Sequence, residues 1–305
     1  MQIPFTLNAC AIALANLGQH VLIGDERAQA TGSYPVDGMA AFIAVKDEHA
    51  SIEATFLLPG VVSQESDVLM RSNALQMSAL GVCRFVFYED RVMAKSTMFA
   101  SESLTAGQVQ SWWNTCLREI DTWYREIAEQ GFIDVTVPVT IPEQFALNTD
   151  IYDVYKDECS PDDEFGPLVT TARVVHSMTQ LTGAIPQVRT TNIGEVVEAS
   201  IGGQKMDIEV IDGALRFIIG SSLQSLPGLG EALAHSINWL SMQAAAPSAC
   251  IYDYGDHIEM FTRGVVDTST GLDDGALTAA IKKWGPYVYD FNEQIFNDLQ
   301  GLQST

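Results

Sequence analysis

Positive charge is what this 305-residue chain has least of: 16 lysines and arginines stand against 39 aspartates and glutamates, a formal net charge of −23. Such a surface repels a phosphate backbone, which excludes sequence-independent nucleic-acid binding by counterion release, and it excludes an anionic membrane surface on the same ground. Cysteine is also sparse. Cys10, Cys83, Cys116, Cys159 and Cys250 are odd in number, widely spaced and without a CxxC pair, so neither a disulfide framework nor a zinc site is indicated. With only 23 glycines and 11 prolines against 47% hydrophobic residues, a collagenous or low-complexity chain is excluded and a folded protein with a real core is expected. No apolar run approaches the roughly 18 residues of a spanning helix. The uncharged stretch from Leu7 to Leu17 has the look of a signal-peptide core, but Met1 to Phe5 contains no lysine or arginine and the first basic residue is Arg27. It reads as an amphipathic helix, and with reduced cysteines a cytoplasmic location is expected.

Catalytic signatures are missing too. His20, His49, His176, His235 and His257 stand far apart with no HxH or HxxxH spacing, so a metal centre would have to be assembled wholly by the fold. There is no GxSxG elbow, and Gly202-Gly203 and Gly228-Leu229-Gly230 lack the context of a phosphate cradle and read as turns. Asp273-Asp274 sits where a helix start favours negative charge, and Asp157 to Glu164 lacks the spacing of a calcium loop. No catalytic, cofactor-binding or metal-ligating residue is assigned, and no cofactor is expected.

What is present is a long repeat. Apolar residues at Val109, Trp113, Cys116, Ile120, Trp123 and Ile127 follow one helix face, and the same spacing returns 168 residues later as Leu277, Ile281, Trp284, Val288, Phe291 and Ile295. Thr105 with Gln108 forms a capping-box signal for the first helix, and Asp273, 168 residues on, is a good N-cap for the second. The apolar phase runs on through Pro286, which predicts one kinked helix there and not two. Upstream of each helix lies a hairpin signal: Arg84–Tyr88 and Arg91–Thr97 around Glu89-Asp90, then Cys250–Tyr254 and His257–Arg263 around Gly255-Asp256.

Before each hairpin a further helix is expected, over Asp67–Leu80 and Gly230–Met242, carrying Asn73 and Asn238. Strands are expected at Met39–Val45 and Ser51–Leu58, with one leading strand near Val21–Ala30, and in the second half at Val196–Ile201, Met206–Ile211 and Ala214–Ile219. Each half opens with a helix, Leu7–Leu17 or Leu168–Leu181, closed by Gly18 or Gly183. The common order is helix, three antiparallel strands, helix, two-strand hairpin, helix, an α+β fold in two tandem copies. The domain reading is residues 1–132, a linker over 133–166, and residues 167–305. In the linker, Val135–Pro142 is extended and reads as an edge strand, after which seven carboxylates crowd Asp150 to Glu164 against Lys156 alone. That acidic run reads as a solvated linker, or else as a docking strip for a basic partner.

This element order, with Asn73 before Phe85-Val86-Phe87-Tyr88 and Asn238 before Ile251-Tyr252-Asp253-Tyr254, resembles the YbjN-like proteins, whose fold is like that of type III secretion chaperones. The resemblance spans Pro4–Phe132 and Pro167–Leu299 as a tandem duplication. It implies a noncatalytic protein-binding, chaperone-like or regulatory role with no cofactor, as a monomer with pseudo-dimeric halves or as a homodimer. The expected partner is a polypeptide, basic or amphipathic, and not nucleic acid or a membrane. Trp113 and Trp123 are expected in the core, while Trp112 and Tyr124 flank that seam and are the partner-binding candidates. The alternative is an enzyme or small-molecule sensor with its pocket between the halves.

Overall fold

The computed structural model describes residues 2–4, 6–46, 51–62, 69, 71, 75, 81–99, 103–147, 151–154, 166–192, 194–201, 203–243 and 247–302. The first half holds β1 (Gln2–Pro4), α1 (Leu7–Asn16), β2 (His20–Ile23), β3 (Arg27–Thr31), β4 (Ala40–Lys46), β5 (Ser51–Leu57), β6 (Val61–Val62), β7 (Cys83–Tyr88), β8 (Arg91–Phe99), β9 (Ser103–Thr105) and α2 (Ala106–Glu129). Between the halves lie β10 (Ile133–Asp134), a 3-10 turn at Glu143–Phe145 and β11 (Tyr152–Val154). The second half holds α3 (Thr171–Thr182), β12 (Gln187–Thr191), β13 (Gly194–Ile201), β14 (Gln204–Ile211), β15 (Ala214–Gln224), α4 (Leu229–Gln243), β16 (Ser248–Asp253), β17 (His257–Asp267) and α5 (Asp274–Leu302).

Two antiparallel sheets result, with strand orders β11-β2-β3-β4-β5-β8-β7 and β12-β13-β14-β15-β17-β16. Apart from β11, the two sheets have the same strand order, as expected when tight turns join strands adjacent in sequence and each hairpin adds to the fourth strand through its second member. Four strands, not three, lead each half. The expected single strand over Val21–Ala30 is a hairpin of β2 and β3 closed by the Gly24 N–H on the Arg27 carbonyl at 2.9 Å. Strand β12 is nearly all exposed, so its Gln-Val-Arg-Thr-Thr sequence carries no inward alternation by which to find it. The expected helix over Asp67–Leu80 lies outside the described residues apart from Leu69, Arg71 and Leu75, which are helical.

The repeated helices form as their spacing requires. All six seam residues of α2 and all six of α5 are buried. Thr105 and Gln108 make the reciprocal capping box of α2, and the Asp273 carboxylate takes the Ala276 N–H at 2.7 Å at the start of α5. Helix α5 runs unbroken through Pro286, held by its apolar face against the second sheet. Gly183 closes α3 in the left-handed region, φ 73°. One hydrophobic core joins the halves, since Trp113, Ile120 and Trp123 of α2 share it with Ile237, Ile251, Phe291 and Ile295, and a second core lies between α3, α5 and β13–β15.

The linker departs from expectation. Residues 135–142 form no strand, because Pro138 and Pro142 have no N–H to give a ladder. Instead the segment straps the outer face of the first sheet, where Val139 and Phe145 pack on Ala40, Phe42, Leu57, Val86 and Met93. Arg91 Nη1 holds the Pro138 carbonyl at 3.1 Å and the Gly60 N–H donates to the Val137 carbonyl at 2.8 Å. The edge strand comes later, as β11. Of the acidic run only Asp153 is described, and its carboxylate meets His20 Nε2 at 2.9 Å.

Candidate functional site

The two residues expected to meet a partner are placed differently by the fold. Trp112 is buried, 2% exposed, and its indole N–H donates to Ser96 Oγ at 2.8 Å. That expectation is corrected: α2 lies between its own sheet and the second half, so the face beside the seam is covered as well as the seam itself. Tyr124 is half-buried, packs on the core and donates its hydroxyl to the Pro59 carbonyl at 3.2 Å. Trp113 and Trp123 are core residues, against Phe56 and Phe85 respectively.

Contacts between the halves are reciprocal. Thr115 of α2 donates to Asp267 at 2.8 Å, and Ser111 donates to the same carboxylate at 3.0 Å. The positions 168 residues apart exchange places on the other side: Lys283 lies 5.8 Å over the ring of Phe99, with Tyr287 centred 4.9 Å from it. Where α2 carries Glu119, the same position of α5 is Tyr287. Glu119 is buried and accepts the N–H groups of Gly81, Val82 and Cys83 at 2.8, 3.3 and 2.8 Å. Burial raises its pKa, opposed by those three donors and by Arg263. Arg84, also buried, donates to Thr97, to the Ser241 carbonyl and to Glu53, which Lys95 approaches at 3.3 Å. Burial lowers the Arg84 pKa, and Glu53 opposes it. These groups fix the junction; the cleft left there, between Trp112, Val265 and Trp284, encloses about 30 Å³, space on the scale of one water.

A larger cavity lies in the first half, under the linker strap. It encloses about 320 Å³ between the β7–β8 turn, Leu57, Leu58, Met93 and the strap at Val139–Pro142. Sequence reasoning missed it, because its walls are brought together from three separated segments.

Exposed surfaces among the described residues include a sheet edge and a hairpin. Sheet edges are ready templates for another strand, and β12 is hydrogen-bonded on one side only among the described residues, whereas the matching edge of β2 is paired with β11. Val188 of β12 is exposed, 45%, as are Leu181 and Ile185 before it in the chain, 40% and 80%. On the β16–β17 hairpin, exposed Tyr252 and Tyr254 lie together, with His257 stacked on Tyr254 at 4.8 Å among Asp253, Asp256 and Glu259. Trp239 of α4 is exposed as well. Among the described residues no three His, Cys, Asp or Glu side chains are grouped to hold a metal, and no helix is long and apolar enough to cross a membrane. In comparison with known proteins, the chain matches no protein-family model and no curated protein sequence.

Proposed function

We propose that the protein is a noncatalytic polypeptide-binding module, two tandem YbjN-like domains arranged as an intramolecular pseudo-dimer, that takes its partner as an extended strand along β12. Two matching sheet edges carry this reading. In the first half the edge of β2 is covered by a strand of the same chain, with Tyr152, Asp153 and Val154 opposite Ile23, Leu22 and Val21. In the second half the corresponding edge has no such cover among the described residues. Main-chain hydrogen bonds would supply affinity along this edge and alternate side chains would supply selectivity. One side chain of the incoming strand in two would lie on the same face as the exposed Val188 of β12. The charge of −23 favours a basic segment and speeds its arrival.

A peptide of alternating valine and lysine, titrated into the full-length protein, tests the reading by hydrogen exchange. Slowed exchange confined to Gln187–Thr191 is expected. Val188→Pro removes a donor from an edge strand, where proline is tolerated, and should abolish the effect with the circular dichroism unchanged. Equal binding by Val188→Pro, or exchange slowed only elsewhere, overturns strand addition at β12.

A further inference from the structure

The β7–β8 and β16–β17 hairpins are the same turn in two settings. The first turn residue is left-handed in both, Glu89 at φ 56° and Gly255 at φ 89°. Glycine adopts that conformation without steric cost, whereas Glu89 is the one non-glycine residue with positive φ among the described residues. Strain of this kind persists where the side chain is put to use. The two settings differ in what lies beside the turn. Glu89 stands at the mouth of the cavity of about 320 Å³ under the linker strap, whereas a Cβ at Gly255 would meet nothing within 4 Å among the described residues.

The cavity is graded from apolar to acidic. Leu57 and Met93 give it a buried apolar floor on the outer face of the sheet, while Leu58 and Val92, which also line it, have their side chains in the core on the opposite face. At the mouth are Tyr88, Glu89, Asp90 and Arg91. Arg91 is already engaged: Nη1 holds the Pro138 carbonyl at 3.1 Å and Nε lies 3.4 Å from the Asp90 carboxylate. Asp90 is thereby balanced. The Glu89 carboxylate has no ion pair or hydrogen bond among the described residues. An apolar floor, one aromatic ring and one unbalanced carboxylate match an ammonium carried on an apolar body. The volume is at the lower end of small-molecule sites, about 300–1,000 Å³.

We propose that this cavity binds a small arylalkyl or alkyl ammonium, its charge on Glu89 beside the Tyr88 ring and its body on the Leu57–Met93 floor. The site is independent of strand addition at β12, which lies in the other half. The long-range negative field of the chain raises the local concentration of such a cation and weakens as salt screens it.

Calorimetry on the full-length protein with 4-phenylbutylamine, and with 4-phenylbutanol as the uncharged match, tests the site. Saturable amine binding with Kd of about 1 mM or tighter, and about tenfold or more weaker binding of the alcohol, is expected. Glu89→Gly should raise the melting temperature, since glycine relieves the left-handed strain, and weaken the amine about tenfold. That pairing of a more stable protein with weaker binding is not what general damage to the fold produces. Thr140→Trp, which fills the space under the strap, should abolish binding. The proposal is overturned if amine and alcohol bind alike, if Glu89→Gly leaves amine affinity unchanged, or if only a lysine-bearing peptide binds and the free amine does not.

Discussion

The Asn238 carboxamide pairs with both backbone groups of Phe87: the Phe87 N–H donates to Oδ1 at 2.7 Å and Nδ2 donates to the Phe87 carbonyl at 3.0 Å. A side chain of α4 thus takes the place of a neighbouring strand at one residue of β7, the edge of the first sheet, and ties the halves together there. Edge groups buried without partners would cost more than the bonds contribute when made.

Asn238→Ala leaves both Phe87 groups without a partner in a buried setting, and a loss of about 2–3 kcal/mol in urea unfolding is expected. Asn238→Asp keeps the acceptor but sets a charge against the carbonyl, so it should not rescue. Amide exchange at Phe87 should accelerate in both variants; an unchanged rate would show that water or another group replaces the carboxamide.

Glu119 gives the junction a pH dependence whose sign follows from its raised pKa. An unfolded glutamate titrates near about 4.3, so between that value and the higher folded one the native state holds a proton that the unfolded state has lost. The contribution of this group is therefore greatest at low pH and is lost as pH rises through the folded value. Glu119→Gln does not titrate there, and the stability of the wild type minus that of the variant should fall as pH rises above about 4.3. A difference that grows with pH would mean that the three backbone donors outweigh burial.

Four of the five cysteines, Cys10, Cys83, Cys116 and Cys250, are buried thiols. Burial pushes Cys10 up to about 12 and Cys83 well above the ordinary thiol value. Because the thiolate is the reactive form, a disulfide reagent at about pH 8 should titrate no more than one thiol of the native protein quickly, and all five after denaturation. Rapid reaction of two or more native thiols would contradict this packing.

Gly264 of β17 and Gly285 of α5 should differ in their response to alanine, the first losing far more stability than the second. At Gly264 a Cβ would fall 2.2 Å from the ring of Trp284, which is buried and set edge-on to Phe99. A rigid ring so placed cannot yield, and a loss of about 1–3 kcal/mol or more is expected. At Gly285 the nearest atom is the Ile201 Cδ1 methyl at 2.6 Å, which can rotate away. The gain in helix propensity, about 1 kcal/mol, offsets that shift. Urea titrations of the two variants compare them directly.

The sequence by itself determined the local elements: the seams of α2 and α5, their caps, both β-hairpins and an antiparallel α+β class in two halves, though not the fourth leading strand of each. These are legible because side-chain period, capping chemistry and turn residues act over a few neighbouring positions. Tertiary structure decided the rest. Trp112 looked free because helical periodicity reports one seam, whereas its cover comes from Ser96 on β8 and from the second half. Val139 and Phe145 lie on the outer face of the first sheet because that face is apolar and the prolines around them bar a ladder. The covered edge of β2, the edge of β12 left unpaired among the described residues and the cavity beside Glu89 all depend on where the linker travels, and a linker's path is set by distant surfaces that no local pattern encodes.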